Sequence, residues 1–382
     1  MKRILIVYQN IQHYRIPVFS LLMREQNHGL SYTIAADIQG RDDIKTVCET
    51  LLCERPTKGK ITFLRLKNHW QGNFLWQGGL LKAVLSKKYD VFIFLGDAHY
   101  ASTWVAAIVT RLLRKKTYFW AHAFIRGMSI QDLLKMAFFR LPHGLLLYGE
   151  RAKENLTRLG FNPSRMKVIY NSLDYDMQVA IRAGLTPARL QKTKESLFKN
   201  DYPVLLFIGR LTPQKKLGAV VELAKKLHNA SIPCNVLFVG DGSERRSLED
   251  SVRQHGLEDF VYFYGACHNE EALAPLIAMS DLCISPGEVG LTAIHSLAYG
   301  TPVITHDSYI HQMPEYEAIT PGVNGAYYKY GDLDSLFEVT KSWLQSRTNR
   351  DAIRKNCFDI IDSKYNPYNQ VLILREELRN AS

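Results

Sequence analysis

Short, strongly apolar runs alternate with longer amphipathic ones along the whole chain, and midway the alternation stops and starts again. Residues 2–8, 31–36, 61–66, 90–96, 117–122, 144–148 and 167–170 read as buried strands. Residues 14–26, 74–86, 101–113, 130–139 and 151–159 fit helices between them. The pattern breaks around 171–176, and a polar helical stretch at 187–199 leads to a second round. There, 204–209, 236–239, 261–264, 282–285 and 303–305 read as strands, and the tail at 333–344, 350–363 and 368–379 as helices. Strand–helix alternation of this kind predicts parallel sheets covered on both faces. The expected architecture is α/β: two doubly wound, Rossmann-like domains, 1–172 and 173–363, facing a central cleft. A last helix at about 364–382 is expected to pack back on the first domain. With 382 residues, two cores are affordable.

No apolar run approaches the ~20 residues of a membrane-spanning helix, and MKRILIVYQN turns polar too early for a signal peptide. Six cysteines are scattered without a CxxC pair, so they read as reduced thiols of a cytoplasmic protein. The net charge of +11 is lopsided. Residues 1–172 hold 26 Lys and Arg against 11 Asp and Glu, and the remainder 22 against 26. A basic half suits nucleic acid, anionic lipid or a phosphorylated substrate. Lysines and aromatics recur there (Lys58, Lys60, Lys67, Trp70, Phe74, Trp76, Lys87, Lys88 and the stretch from Arg111 to Lys116), which suits an interfacial surface on an anionic membrane. No nucleic-acid-binding motif is present, so a nucleic-acid partner is not expected.

Ligands of doubly wound sheets bind beyond the carboxyl ends of the strands. In FIGRLTPQKK a strand ends at Gly209, and Arg210 and Lys215 follow. Glycine allows close backbone approach, arginine grips two oxygens of a diphosphate, and lysine adds a point charge. In FVGDGSE a strand ends at Gly240, and Ser243 is placed to cap the next helix. In SPGEVGLTAIHSLAYGTPVI the glycines Gly287 and Gly290 flank Glu288 before a helix. Unpaired amides at Gly290, Leu291 and Thr292 would favour a phosphate. Glu288 would repel that anion and is better suited to sugar hydroxyls, and His295 follows on the helix.

These segments, with VYFYGAC ending at Gly265 and Cys267, resemble in order and spacing the retaining glycosyltransferases of family 4, which have the GT-B fold. The resemblance is good along about 160 residues of the C-terminal half and looser before it. It implies a nucleotide-sugar donor, a UDP- or GDP-sugar, held by the C-terminal domain. Arg210 and Lys215 would lie on its diphosphate, Gly240 and Gly265 beside its base and ribose. It implies a hexosyltransferase acting with retention, no required cofactor and no metal. Many members carry two glutamates eight positions apart. Here Gly287 and His295 occupy those positions, so the expectation is that Glu288 takes the sugar role and His295 the ribose role.

The N-terminal half is expected to bind the acceptor, a glycan or polyprenyl-linked glycan of surface polysaccharide assembly, with the protein peripheral on the cytoplasmic membrane face. Asn10, Tyr14 and Arg15 after the first strand, Asp97 and His99 after another, and Arg126 are acceptor candidates. His122 sits where the family has a histidine that approaches the donor sugar. Asp307 and Glu315 are further candidates for sugar contacts. An epimerase or hydrolase of the same fold, or a non-catalytic homologue, stays open. A NAD-dependent dehydrogenase is disfavoured, since Gln9-Asn10-Ile11 stands where GxGxxG would.

Overall fold

The protein is described by a computed structural model covering residues 1–24, 29–39, 62–125, 127, 129–346 and 349–380. The chain divides into two compact units, Met1–Asp174 with Asn366–Ser382, and Tyr175–Tyr365.

The first unit is built on seven parallel strands: β1 (Lys2–Asn10), β2 (Leu30–Asp37), β3 (Phe63–Arg65), β6 (Val91–Leu95), β7 (Lys116–Ala121), β8 (Gly144–Leu147) and β9 (Met166–Val168). Their order is β3-β2-β1-β6-β7-β8-β9. The strands are apolar on both sides because both sheet faces are covered. Ile4, Ile6 and Tyr8 pack toward the helices Ile16–Arg24 and Pro367–Asn380. Leu5, Val7, Phe92, Phe94 and Phe119 pack toward Leu80–Leu85, Ala101–Leu112 and Ile130–Phe139. Between β3 and the first of these helices lies an antiparallel hairpin, β4 (Lys67–Gln71) with β5 (Phe74–Gly78).

That hairpin corrects the helix expected over 74–86, of which only Leu80–Leu85 is helical. Gln77 is the physical reason. It is buried and donates to the Tyr8 carbonyl and to Asn68 Oδ1, both at 3.0 Å, and its backbone N–H bonds Ser102 Oγ. Leu75 and Gln77 point inward while Phe74 and Trp76 point out.

The second unit has six parallel strands: β10 (Val204–Ile208), β11 (Asn235–Val239), β12 (Val261–Gly265), β13 (Leu282–Ser285), β14 (Val303–His306) and β15 (Gly325–Tyr328). Their order is β12-β11-β10-β13-β14-β15. All five strands of β10 to β14 are buried residue by residue except β12, which alternates at the edge. Two elements had no counterpart in the sequence expectation: β15 and the helix Tyr175–Ala183.

Both sheets carry the nucleotide-binding strand order, with the reversal point beside β1 and β6 in one and beside β10 and β13 in the other. A crevice opens at such a point beyond the carboxyl ends, and the loops there are the places for a ligand.

Candidate functional site

In the second unit the loops after β10, β11 and β13 are laced together by close backbone approach. A side chain at Gly240 would overlap the carbonyl of Gly209, one at Gly242 that of Leu211, and one at Gly287 that of Gln214. Leu211 N–H bonds Asp241 O at 2.9 Å and Gly287 N–H bonds Lys215 O at 3.0 Å. Gly240 N–H bonds Gly265 O at 2.9 Å, so the glycines ending β11 and β12 also meet.

Arg210 is exposed beside this platform, whereas Lys215 is half-buried on the turn Pro213–Lys215. Lys215 Nζ donates to the Glu288 carbonyl at 2.8 Å and lies 3.4 Å from Glu288 Oε1. Burial lowers the Lys215 pKa, and Arg210 lowers it further, against the raising influence of Glu288 and Glu315. A lysine held beside a second cation gains from an added anion. Lys215 and Glu288, 73 residues apart, are therefore brought together, and Glu288 keeps 39% of its side chain exposed.

Gly290 caps the helix Leu291–Ala298 at φ +51°, a left-handed value suited to glycine. Thr292 is not free for a ligand through its hydroxyl, which donates to Ile208 O at 2.8 Å and ties the helix to β10. Ser243 does not cap the next helix. Glu244 occupies that position with helical backbone and no side-chain cap, so the capping expectation is corrected.

His295 meets a carboxylate that sequence reasoning missed. Its Nε2 is 2.9 Å from Glu270 Oε1, which also accepts from Tyr299 Oη at 2.8 Å and Gln178 Nε2 at 3.1 Å. Burial works to raise the Glu270 pKa, but hydrogen bonds and charge from His295, with Tyr299 and Gln178, hold it down at about 2. Glu270 opens the helix Glu270–Met279, where an acidic residue is favoured, yet no motif in the sequence couples it to a residue 25 positions on.

Gln312 was missed too. It accepts from Val289 N–H at 2.9 Å and donates to Thr305 Oγ1 at 2.8 Å and His306 O at 3.1 Å, pinning the Glu288 loop to β14. Asp307 accepts from Tyr330 N–H at 3.0 Å. Glu315 is buried at 2% exposure and acts on Lys215 electrostatically. His306 is wholly buried, with neither ring nitrogen hydrogen-bonded among the described residues. Its ring lies 4.6 Å from that of Tyr330, which stacks on His311 at 4.5 Å.

In the first unit a cavity of about 420 Å³ opens at the β1–β6 reversal point. Tyr14, Arg15, Asp97, His99 and His122 line it, so five of the expected residues come together. Arg15 is buried, donates to Tyr148 Oη at 2.6 Å and Asn171 Oδ1 at 3.0 Å, and lies about 5 Å from the rings of Tyr14, Trp120 and Tyr148. His99 Nδ1 pairs with Asp97 Oδ1 at 2.8 Å. The Trp120 indole N–H, without a partner among the described residues, lies in the cavity wall. Lys135, Tyr8, Tyr148 and Phe124 line it as well and were missed. Asn10 lies apart: its amide donates to Asp37 O and Gln39 O, at 3.2 and 2.7 Å, so the expected acceptor contact is not placed in the cavity. Arg126 lies outside the described residues, as do Lys58 and Lys60. No group of three metal-ligating side chains occurs among the described residues.

Two Rossmann-like units of this topology define the GT-B fold of glycosyltransferases. Residues 189–358, within the second unit, match the family described as Glycosyl transferases group 1. Among curated proteins, the chain is similar to an alpha-D-kanosaminyltransferase of Streptomyces kanamyceticus, 25% identical over 171 residues, which are 44% of this chain and 43% of that protein. It is also similar to a 2-deoxystreptamine glucosyltransferase of the same organism, 30% identical over 173 residues, again 44% and 43%. The matched stretch thus spans less than half the length of these relatives. Among solved structures, Anabaena HepE in complex with UDP superposes with a TM-score of 0.74 over 99% of this chain and 100% of that one, at 17% identity. At that identity the likeness is one of fold.

Proposed function

We propose that the protein is a retaining glycosyltransferase that moves a hexose from a nucleoside diphosphate to a glycan or polyprenyl-linked glycan acceptor. The setting is surface polysaccharide assembly at the cytoplasmic membrane face. The observation that carries this reading is the platform at the β10–β13 reversal point, where the Gly209, Gly240 and Gly287 backbones close in beside Lys215 and Arg210. Two cations beside closely packed backbone suit a pyrophosphate. The HepE structures with UDP and with UDP-glucose support a donor of that class.

Arg210 and Lys215 neutralise the charge that grows on the diphosphate as the anomeric C–O bond breaks. The acceptor oxygen bonds to the same carbon, and its proton leaves with the nucleotide. Glu288, anchored through Lys215, accepts from sugar hydroxyls. His295, held by Glu270, takes the ribose side, with Gly265 near the base, and Leu291 and Thr292 contribute backbone amides. The resemblance assigns His122 to the reacting sugar. Tyr14, Arg15, Asp97 and His99 hold the acceptor. One observation favours a second reading, hydrolase or inactive homologue: Gly287 and His295 stand where the family carries glutamates. Nucleotide-sugar turnover without an acceptor distinguishes the hydrolase.

The test is thermal unfolding and ligand-observed NMR with UDP, GDP, CDP and dTDP. One nucleotide is expected to stabilise the wild type, and the Arg210→Ala/Lys215→Ala variant is expected to bind it at least ~100-fold more weakly, as removal of two charge-assisted contacts implies. An equal response from the variant would sink the donor-site assignment.

A further inference from the structure

We propose that one helical face of the N-terminal unit is a docking surface for an anionic lipid bilayer. The face is formed by the outer sides of the helices Leu80–Leu85, Ala101–Leu112 and Ile130–Phe139. It deepens the peripheral-membrane part of the reading above, but it involves no nucleotide residue.

All three helices cover the same side of the seven-stranded sheet. Their inward residues, among them Val84, Ala107, Met136 and Phe138, pack with Phe92, Phe94 and Phe119 in one core. Their outer sides therefore face one way. A surface helix normally turns polar residues outward. Here Leu85 is 64% exposed, Leu112 78%, Ile130 73% and Leu134 56%, and Ile108 and Leu133 are exposed as well. Ile108 and Leu112 are one turn apart, as are Ile130, Leu133 and Leu134, so the helices Ala101–Leu112 and Ile130–Phe139 each show a stripe, and Leu80–Leu85 adds Leu85. Contiguous exposed apolar surface marks an interaction site.

The charge around the stripes selects the partner. Residues 80–88, 101–116 and 130–140 contain nine Lys and Arg and a single acid, Asp132. Asp132 is buried in the Ser129 capping box, so it presents little charge outward. Lys82, Lys87, Lys88 and Arg114 are exposed. A soluble polyanion would use the cations and leave the leucines in water. An anionic bilayer uses both, acyl chains for the leucines and headgroups for the lysines.

The β4–β5 hairpin extends the face toward the cavity. It displays Phe74 at 59% and Trp76 at 42% exposure, and the Phe74 ring lies 6.0 Å from that of His99 in the cavity lining. Aromatic side chains favour the headgroup boundary. An acceptor carried on a lipid would meet the cavity beside the surface that holds its membrane.

The experiment is co-sedimentation of the full chain with phosphatidylcholine vesicles, with and without about 30% phosphatidylglycerol, at about 0.15 M salt. The wild type is expected to bind the anionic vesicles. Leu112→Glu/Leu134→Glu and Lys87→Glu/Lys88→Glu are each expected to bind about tenfold less or weaker still. Circular dichroism checks that the variants are folded, and their nucleotide-induced thermal shift reads the donor site separately. Absence of wild-type binding to anionic vesicles overturns the proposal, as does binding that both variants retain. A dimer that the leucine variant dissociates, with no vesicle binding, would give the face to a second copy of the chain. Retention on DNA unaffected by the leucine variant, again without vesicle binding, would give it to a nucleic acid.

Discussion

His306 is a residue whose burial carries a pH consequence. Burial, with Lys216 and His311 nearby and against the pull of Asp307, lowers its pKa from 6.5 to about 4. The folded protein keeps the ring neutral down to about pH 4, while the unfolded chain protonates it below about pH 6.5. Between pH 6.5 and about 4 the unfolded state binds more protons, so stability falls as pH falls through that window and is complete above it. The contribution is roughly 3 kcal/mol at the acid end. The expectation is that His306→Phe loses this part of the acid slope in urea titrations followed from pH 7 to 4. It should keep near wild-type stability at pH 7, because an apolar ring replaces two buried nitrogens without hydrogen bonds. An unchanged slope would place the protonated imidazole in contact with water.

At the scale of elements, the loops after β10, β11 and β13 depend on glycine because backbone meets backbone there. Gly240→Ala and Gly287→Ala would force overlap with the carbonyls of Gly209 and Gln214, which belong to other loops and cannot rotate away. Each is expected to cost about 2–3 kcal/mol in chemical unfolding and to weaken nucleotide binding. Gly218→Ala is the contrast: it opens the helix Gly218–Asn229 with open space around it, so it should be neutral or gain up to about 1 kcal/mol. If all three variants behaved alike, close approach would not be the reason for the glycines.

The same elements divide what the sequence could tell from what it could not. Strands β1, β10 and β11 were legible because burial on both faces leaves an unbroken apolar run, and Gly209 and Gly240 mark where the runs of β10 and β11 end. The Lys215–Glu288 meeting was half legible: each residue stood out, but not their hydrogen bond. Glu270 and Gln312 were invisible, because Glu270 meets His295 25 positions on and Gln312 meets Val289 23 positions back, and no local pattern encodes either pairing. The β4–β5 hairpin was misread because its aromatics point outward and its glutamine inward, the reverse of the usual alternation. Tertiary hydrogen bonds from Gln77 decided there over local pattern.

For the molecule as a whole, the chain leaves the first unit at Asp174, completes the second, and returns at Asn366. The returning helix, Pro367–Asn380, buries Val371, Leu374 and Leu378 in the core that holds Phe19 and Leu22. Ser172 Oγ donates to Gln370 Oε1 at 2.9 Å, and Gln370 Nε2 donates to Tyr170 O at 2.7 Å. Lys2 Nζ donates to Leu378 O and Arg379 O near the helix end. The helix is thus a structural part of the first unit although the whole second unit separates it in sequence from the rest of that unit. Deleting residues 366–382 uncovers three aliphatic side chains and the core facing them, a loss on the order of 5 kcal/mol. That is comparable with the whole stability of a domain. Calorimetry of the truncated chain is expected to show the first unit's transition lowered or missing and the second unit's transition retained. The retained transition should still move upward with the nucleotide that stabilises the full chain, because the donor residues from Gly209 to His295 lie wholly within Tyr175–Tyr365. Joint loss of both transitions would mean that the second unit does not fold without the first, and would make the donor site a property of the complete chain rather than of one unit.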